Sequence, residues 1–228
     1  MKPLRHVSTN FEQKGHRSLL IALLLMILAS PLLQQHVAVG WLLAVVLMLV
    51  LLTAVRTVAS SRRNFQTALV LGIFALVPQF GVLFGDFFWL DIVRYFATML
   101  FLFWVCGLLL RDIVLRSHSV TLELLLGAIN IYMMVAIGFA FAYALIERLQ
   151  PGSFTGLEEF LNHPSDVLYF LYFSFVTITT LGYGDISPLT SYGMTASYLE
   201  SVFGQLYLAI LVARLVSMYL ADPPAPAE

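Results

Sequence analysis

Residues 177–185 read Thr-Ile-Thr-Thr-Leu-Gly-Tyr-Gly-Asp, a run that breaks an otherwise apolar stretch. Two glycines fall at alternate positions, 182 and 184, after threonines at 177, 179 and 180. An extended strand aims successive carbonyls to one side only if left- and right-handed backbone conformations alternate. Glycine takes the left-handed ones without a Cβ penalty. Carbonyls aligned over Thr180, Leu181, Gly182, Tyr183 and Gly184, with the Thr180 hydroxyl beneath them, can replace the water shell of a dehydrated cation. Such non-helical backbone is tolerated at membrane depth only where protein buries it or it lines a watery cavity. Tyr183 would point away from the carbonyl row, with Tyr169, Tyr172 and Phe173 as its expected aromatic surroundings.

The elements that must hold this segment are membrane helices. Of the 228 residues 60% are hydrophobic and only 11% charged, with a mean hydropathy of +0.90. A soluble domain carries roughly 25% charged residues. A net charge of −1 without a basic run argues against a nucleic-acid partner. Cys106 is alone, so there is no intrachain disulfide, and no His/Cys cluster suggests a metal centre. A bilayer core of about 30 Å takes roughly 20 apolar residues as a helix, and six segments qualify: 18–35, 37–56, 66–85, 90–110, 121–146 and 190–219. Pro78 is expected to bend the third. The apolar run Val167–Val176 is too short to span and reads as a re-entrant helix, with Pro164 in its first turn and Ser165 or Asp166 near its cap.

Lys and Arg set the orientation. With the N-terminus inside, ten of the twelve basic residues fall on the cytoplasmic side, leaving Arg94 and Arg148 outside. Both termini are then cytoplasmic in a multi-pass protein of the cell membrane, and the re-entrant stretch dips in from the outer face. A basic start with an apolar run at 19–29 resembles a signal peptide, but Ile27 fits the −3 position poorly and the run continues through Leu33.

The motif Thr-Thr-Leu-Gly-Tyr-Gly-Asp resembles the potassium-channel signature, whose usual form has valine in place of Leu181. The resemblance extends over residues 121–219, as outer helix 121–146, pore helix 164–179, filter 180–184 and inner helix 190–219. It implies an all-α membrane protein with six transmembrane helices, a re-entrant pore helix and a filter between the fifth and sixth. Residues 1–17 would be a cytoplasmic segment, 18–111 a four-helix domain, 112–120 a cytoplasmic linker and 220–228 a disordered tail. One chain carries one pore loop, so a homotetramer is needed to close the carbonyl ring. Potassium would be coordinated at Thr180, Leu181, Gly182 and Tyr183, with Asp185 at the outer mouth. Thr179, Tyr172 and Glu200 would support the filter from behind.

In the last helix the resemblance points to Gly204 as a hinge glycine, where the residue alone reads equally as a small residue for close packing. Ser201, Gln205, Leu208 and Val212 would face the cavity below the filter. Glu200 is an ionisable group inside a spanning segment, costly and by default functional. It either buttresses the filter or completes a structural hydrogen-bond network. Steep voltage sensing needs arginines at every third residue of the fourth helix, yet 90–110 holds only Arg94, expected to pair with Asp86 or Asp91. The tail Ala-Asp-Pro-Pro-Ala-Pro-Ala-Glu suggests no fused ligand-binding domain. The reading is a passive potassium channel, with potassium ions and membrane lipid as partners, no cofactor and no enzyme activity. A non-selective cation channel, a non-conducting subunit of the same fold and a secondary transporter are the alternatives.

Overall fold

The computed structural model describes residues 8–33, 39–57, 62–84, 87–116, 121–156 and 166–221. These form α1 (Ser8–Leu33), α2 (Val39–Thr57), α3 (Arg62–Leu76), a 3-10 stretch Val77–Phe84, α4 (Phe88–Arg116), α5 (Leu122–Leu149), β1 (Phe154–Thr155), α6 (Asp166–Ile178), β2 (Ser187–Pro188) and α7 (Ser191–Ala221). The described residues are almost entirely helical. Among the described residues three helices are long and apolar enough to cross a bilayer: Phe88–Val114, Leu122–Leu149 and Ser191–Met218. Gly15–Leu28, Phe65–Gln79 and Val167–Ile178 are apolar but shorter. Three of the six expected spans therefore have the length and composition of a crossing helix.

Pro78 does more than bend its helix. Proline removes a backbone donor and restricts the residue before it, and the α-helical pattern stops at Leu76 and tightens into 3-10 geometry. Gln79 then donates to the Thr98 hydroxyl at 3.0 Å, a buried polar pair tying this stretch to α4. In the same stretch Gly81 leaves the room that Leu90 fills. The fourth helix runs to Arg116, through the first residues of the expected 112–120 linker.

α5 is the central post, packed against α1, α4, α6 and α7. Thr121 caps its start, accepting from the Leu124 amide at 3.2 Å. Glu123 in the first turn and Arg148 in the last complement the helix dipole. Asn130 donates to the His16 carbonyl at 3.0 Å, joining α1 to α5. At the far end Asp91 binds both Arg94 (2.9 Å) and Arg148 (3.1 Å), so the first turn of α4 is tied to the last turn of α5. Arg94 is thereby held by Asp91, while Asp86, its other expected partner, lies outside the described residues.

α7 differs from α5 in its burial. It leaves large apolar side chains exposed along its length, among them Val202, Leu206, Ile210, Val216 and Leu220. Such a surface is stable only against lipid or another protein surface.

Candidate functional site

The extended segment grows out of the end of α6. The Leu181 amide bonds the Val176 carbonyl (2.9 Å) and the Thr180 amide bonds the Thr177 carbonyl (3.0 Å). That pair of bonds is a Schellman motif, which requires a left-handed residue at the first position past the cap. Here the position is Thr180, at φ 58°. Gly182 and Gly184 follow at φ 61° and 79°, so positive φ recurs at every second residue. A β-branched residue in this conformation costs of order 1–3 kcal/mol. Two hydrogen bonds surround it: the Thr180 hydroxyl donates to the Thr179 carbonyl (2.7 Å) and accepts from Gln205 Nε2 (3.1 Å). The Thr179 hydroxyl turns back to the Phe175 carbonyl at 2.6 Å.

Residues 179–185 are all exposed within the chain, Leu181 at 56% and Tyr183 at 67%. Of the aromatic residues expected around Tyr183, Tyr169 and Phe173 are buried. Phe173 packs edge-on against Tyr143 and Phe154, with ring centroids 4.9 and 5.5 Å away. The Tyr172 hydroxyl donates to Asp185 Oδ2 at 2.5 Å, while Asp185 Oδ1 accepts from the Ile186 amide at 3.0 Å. That bond to Asp185, ahead of any burial, pushes the Tyr172 hydroxyl up to about 12. The extended segment is thus fixed at both ends, by the α6 cap and by Asp185, while its middle stands clear of the rest of the chain.

Behind Asp185 lies a second anchor that the sequence did not reveal. Glu147, near the end of α5, accepts from three consecutive amides: Gly152 (2.7 Å), Ser153 (2.9 Å) and Phe154 (3.2 Å). The loop so held pairs antiparallel with the chain after the extended segment, Phe154 opposite Pro188 and Thr155 opposite Ser187. The Ser153 carbonyl also takes the Leu189 amide at 2.7 Å. Gly156, at φ 78°, lies so close to the Asp185 carbonyl that a Cβ would collide with it. All three of its partners are backbone groups, which carry no signature in the sequence.

α7 closes the site from the other side. A Cβ on Gly204 would collide with the Ile178 carbonyl oxygen, so glycine here permits direct backbone contact with the end of α6. The same carbonyl accepts the Tyr132 hydroxyl of α5 at 3.1 Å. Ser201 reaches the Thr177 and Ser197 carbonyls at 3.4 and 3.0 Å. Gln205 meets Thr180, and Leu208 and Val212 are exposed one and two turns further along the helix. Glu200, fully buried, meets hydroxyl oxygens from both α5 and α6: Tyr143 at Oε2 and Ser174 at Oε1. Neither Tyr143 nor Ser174 had been distinguished from the apolar runs that contain them.

The comparison with known proteins agrees with this layout. Residues 120–221 match the model of a family described as ion channel, which is not an enzyme family. The matched span takes in α5, the loop, α6, the extended segment and α7, somewhat under half of the chain. No curated protein and no solved structure matches.

Proposed function

We propose that the chain is one subunit of a potassium-selective channel, and that four copies close a ring around a common axis. The observation that carries the reading is the alternation of handedness at Thr180, Gly182 and Gly184. Alternating peptides turn their carbonyls to one side, and four such rows replace the hydration shell of potassium at the levels of Thr180, Leu181, Gly182 and Tyr183. The Thr180 hydroxyl closes the inner end. The carboxyl end of α6, with its partial negative charge, points to where a cation waits. Four copies of Asp185 concentrate cations at the outer mouth.

The exposure of Leu181, Tyr183 and the apolar face of α7 in a single chain supports the homotetramer, since neighbouring copies would cover them. In the ring, Ser201, Gln205, Leu208 and Val212 face the cavity, and Gly204 gives α7 its point of contact or bending. The six-span topology, cell-membrane location and cytoplasmic termini belong to the same proposal, resting on the distribution of Lys and Arg. With Arg94 held by Asp91 and Phe101, Leu102 and Val105 buried further along α4, the channel is not steeply voltage-gated.

Purified protein in liposomes tests the reading. Barium-blocked potassium flux that excludes sodium is expected. Equal sodium flux removes the selectivity, and flux saturating at transporter rates removes the channel.

A further inference from the structure

Glu200 is the only acidic side chain among the buried described residues, and it lies where α5, α6 and α7 meet. Three short oxygen–oxygen contacts converge there. The Tyr143 hydroxyl is 2.5 Å from Oε2, the Ser174 hydroxyl 2.5 Å from Oε1, and Ser174 Oγ is also 2.6 Å from the Ala136 carbonyl oxygen. Each contact needs a hydrogen between its oxygens. Tyr143 and Ser174 bring one each, a carbonyl brings none, and an ionised carboxylate is an acceptor only. Two hydrogens cannot fill three contacts, so an ionised Glu200 would leave one pair of buried oxygens facing each other without a proton. Unsatisfied polar contacts of this kind are costly in an apolar interior.

We propose that Glu200 is held as a neutral carboxylic acid whose own proton completes the network and locks α6 to both flanking helices. The three bonds are then Glu200 Oε1–H to Ser174, Ser174 Oγ–H to the Ala136 carbonyl, and Tyr143 Oη–H to Glu200 Oε2. Every hydrogen has one acceptor and no contact is left empty. The surroundings suit a neutral group. The side chains bonded to its carboxyl oxygens are Tyr143 from α5 and Ser174 from α6, and no cation among the described residues is paired with it.

The position gives the lock its purpose. Ser174 precedes Ile178, the end of α6, by one turn, and Gly204 follows Glu200 by one turn on the same face of α7. One turn of α7 therefore grips α6 through a hydrogen bond and the next through backbone contact, fixing the point where the extended segment begins. Glu200 is a positioning residue. Its bearing on ion passage rests on the conduction reading above, whereas the hydrogen count does not.

Infrared spectroscopy of the protein in lipid at neutral pH reads the proton directly. A carboxylic-acid C=O band above the amide I region, shifted by deuteration and absent from Glu200→Gln, is expected. Absence of that band from the unaltered protein overturns the proposal. Where Glu200→Gln does not fold, Ser174→Ala serves, because removing the acceptor must move the band, and an unmoved band overturns it equally. Glu200→Gln should keep potassium flux, since its amide donates to Ser174 and accepts from Tyr143, while Glu200→Val should lose it. The reverse ranking overturns the positioning role. A band without any flux in the unaltered protein would sink the conduction reading and leave the proton in place.

Discussion

Replacing Glu147 tests the anchor behind the extended segment. Its carboxylate holds three amides at 2.7–3.2 Å. The Gly152 amide belongs to an exposed residue, so water takes over at little cost. Ser153 and Phe154 are 0% and 4% exposed, and each stranded donor costs about 1–3 kcal/mol. Glu147→Ala should therefore weaken the loop by about 3 kcal/mol. At about 1.4 kcal/mol per tenfold, amide hydrogen exchange at 152–154 should accelerate about a hundredfold, with smaller increases at Leu189 through the Ser153 carbonyl. Glu147→Gln keeps an acceptor oxygen without the charge and should cost about half as much. Exchange in Glu147→Ala within about threefold of the unaltered protein, less than about 0.7 kcal/mol, would refute the reasoning.

Gly204→Ala should force α7 away from the Ile178 carbonyl at a cost of about 1–3 kcal/mol, lowering both Tm and potassium flux; unchanged values of both would contradict the close contact. Gln205→Leu removes the donor on the strained Thr180 and should weaken barium block by about tenfold, in line with a hydrogen bond of about 0.5–1.5 kcal/mol. An unaltered block would separate Gln205 from the inner end. Tyr172 is raised from 10.0 to about 12 by its bond to Asp185. An unfolded tyrosine loses its proton first, so this contribution is complete below pH 10 and is lost as pH rises toward about 12. Tyrosinate absorbance should therefore show a late-titrating group that is missing from Tyr172→Phe, and identical titrations would refute the assignment.

Local constraints were legible in the sequence. The spacing of Gly182 and Gly184 is a backbone requirement written in adjacent residues, and the same period, carried back two positions, falls on Thr180. Pro78 marked a disturbance of its helix because the lost donor and the ring clash act within a turn, although the change to 3-10 geometry goes beyond the expected bend. The brevity of 167–176 marked α6 as different from the spanning helices. Partnerships between distant residues were not legible. Glu147 acts on backbone amides, which have no sequence signature. Tyr143 and Ser174 look like ordinary members of apolar runs until folding brings them to Glu200, 57 and 26 positions away. Gly204 read equally as hinge or packing residue, and only the nearby Ile178 carbonyl gives its small size a definite use. Phe173, expected near Tyr183, turns into the aromatic cluster of Tyr143 and Phe154, and the Tyr172 hydroxyl bonds Asp185.

The most direct measurement of the central claim is the reversal potential of the purified protein in a planar bilayer, with potassium on one side and sodium on the other. Selection by a carbonyl-lined filter predicts current carried by potassium alone, with the reversal potential displaced far toward the value that opposes potassium flow. A reversal potential near zero, with sodium carrying equal current, would contradict it.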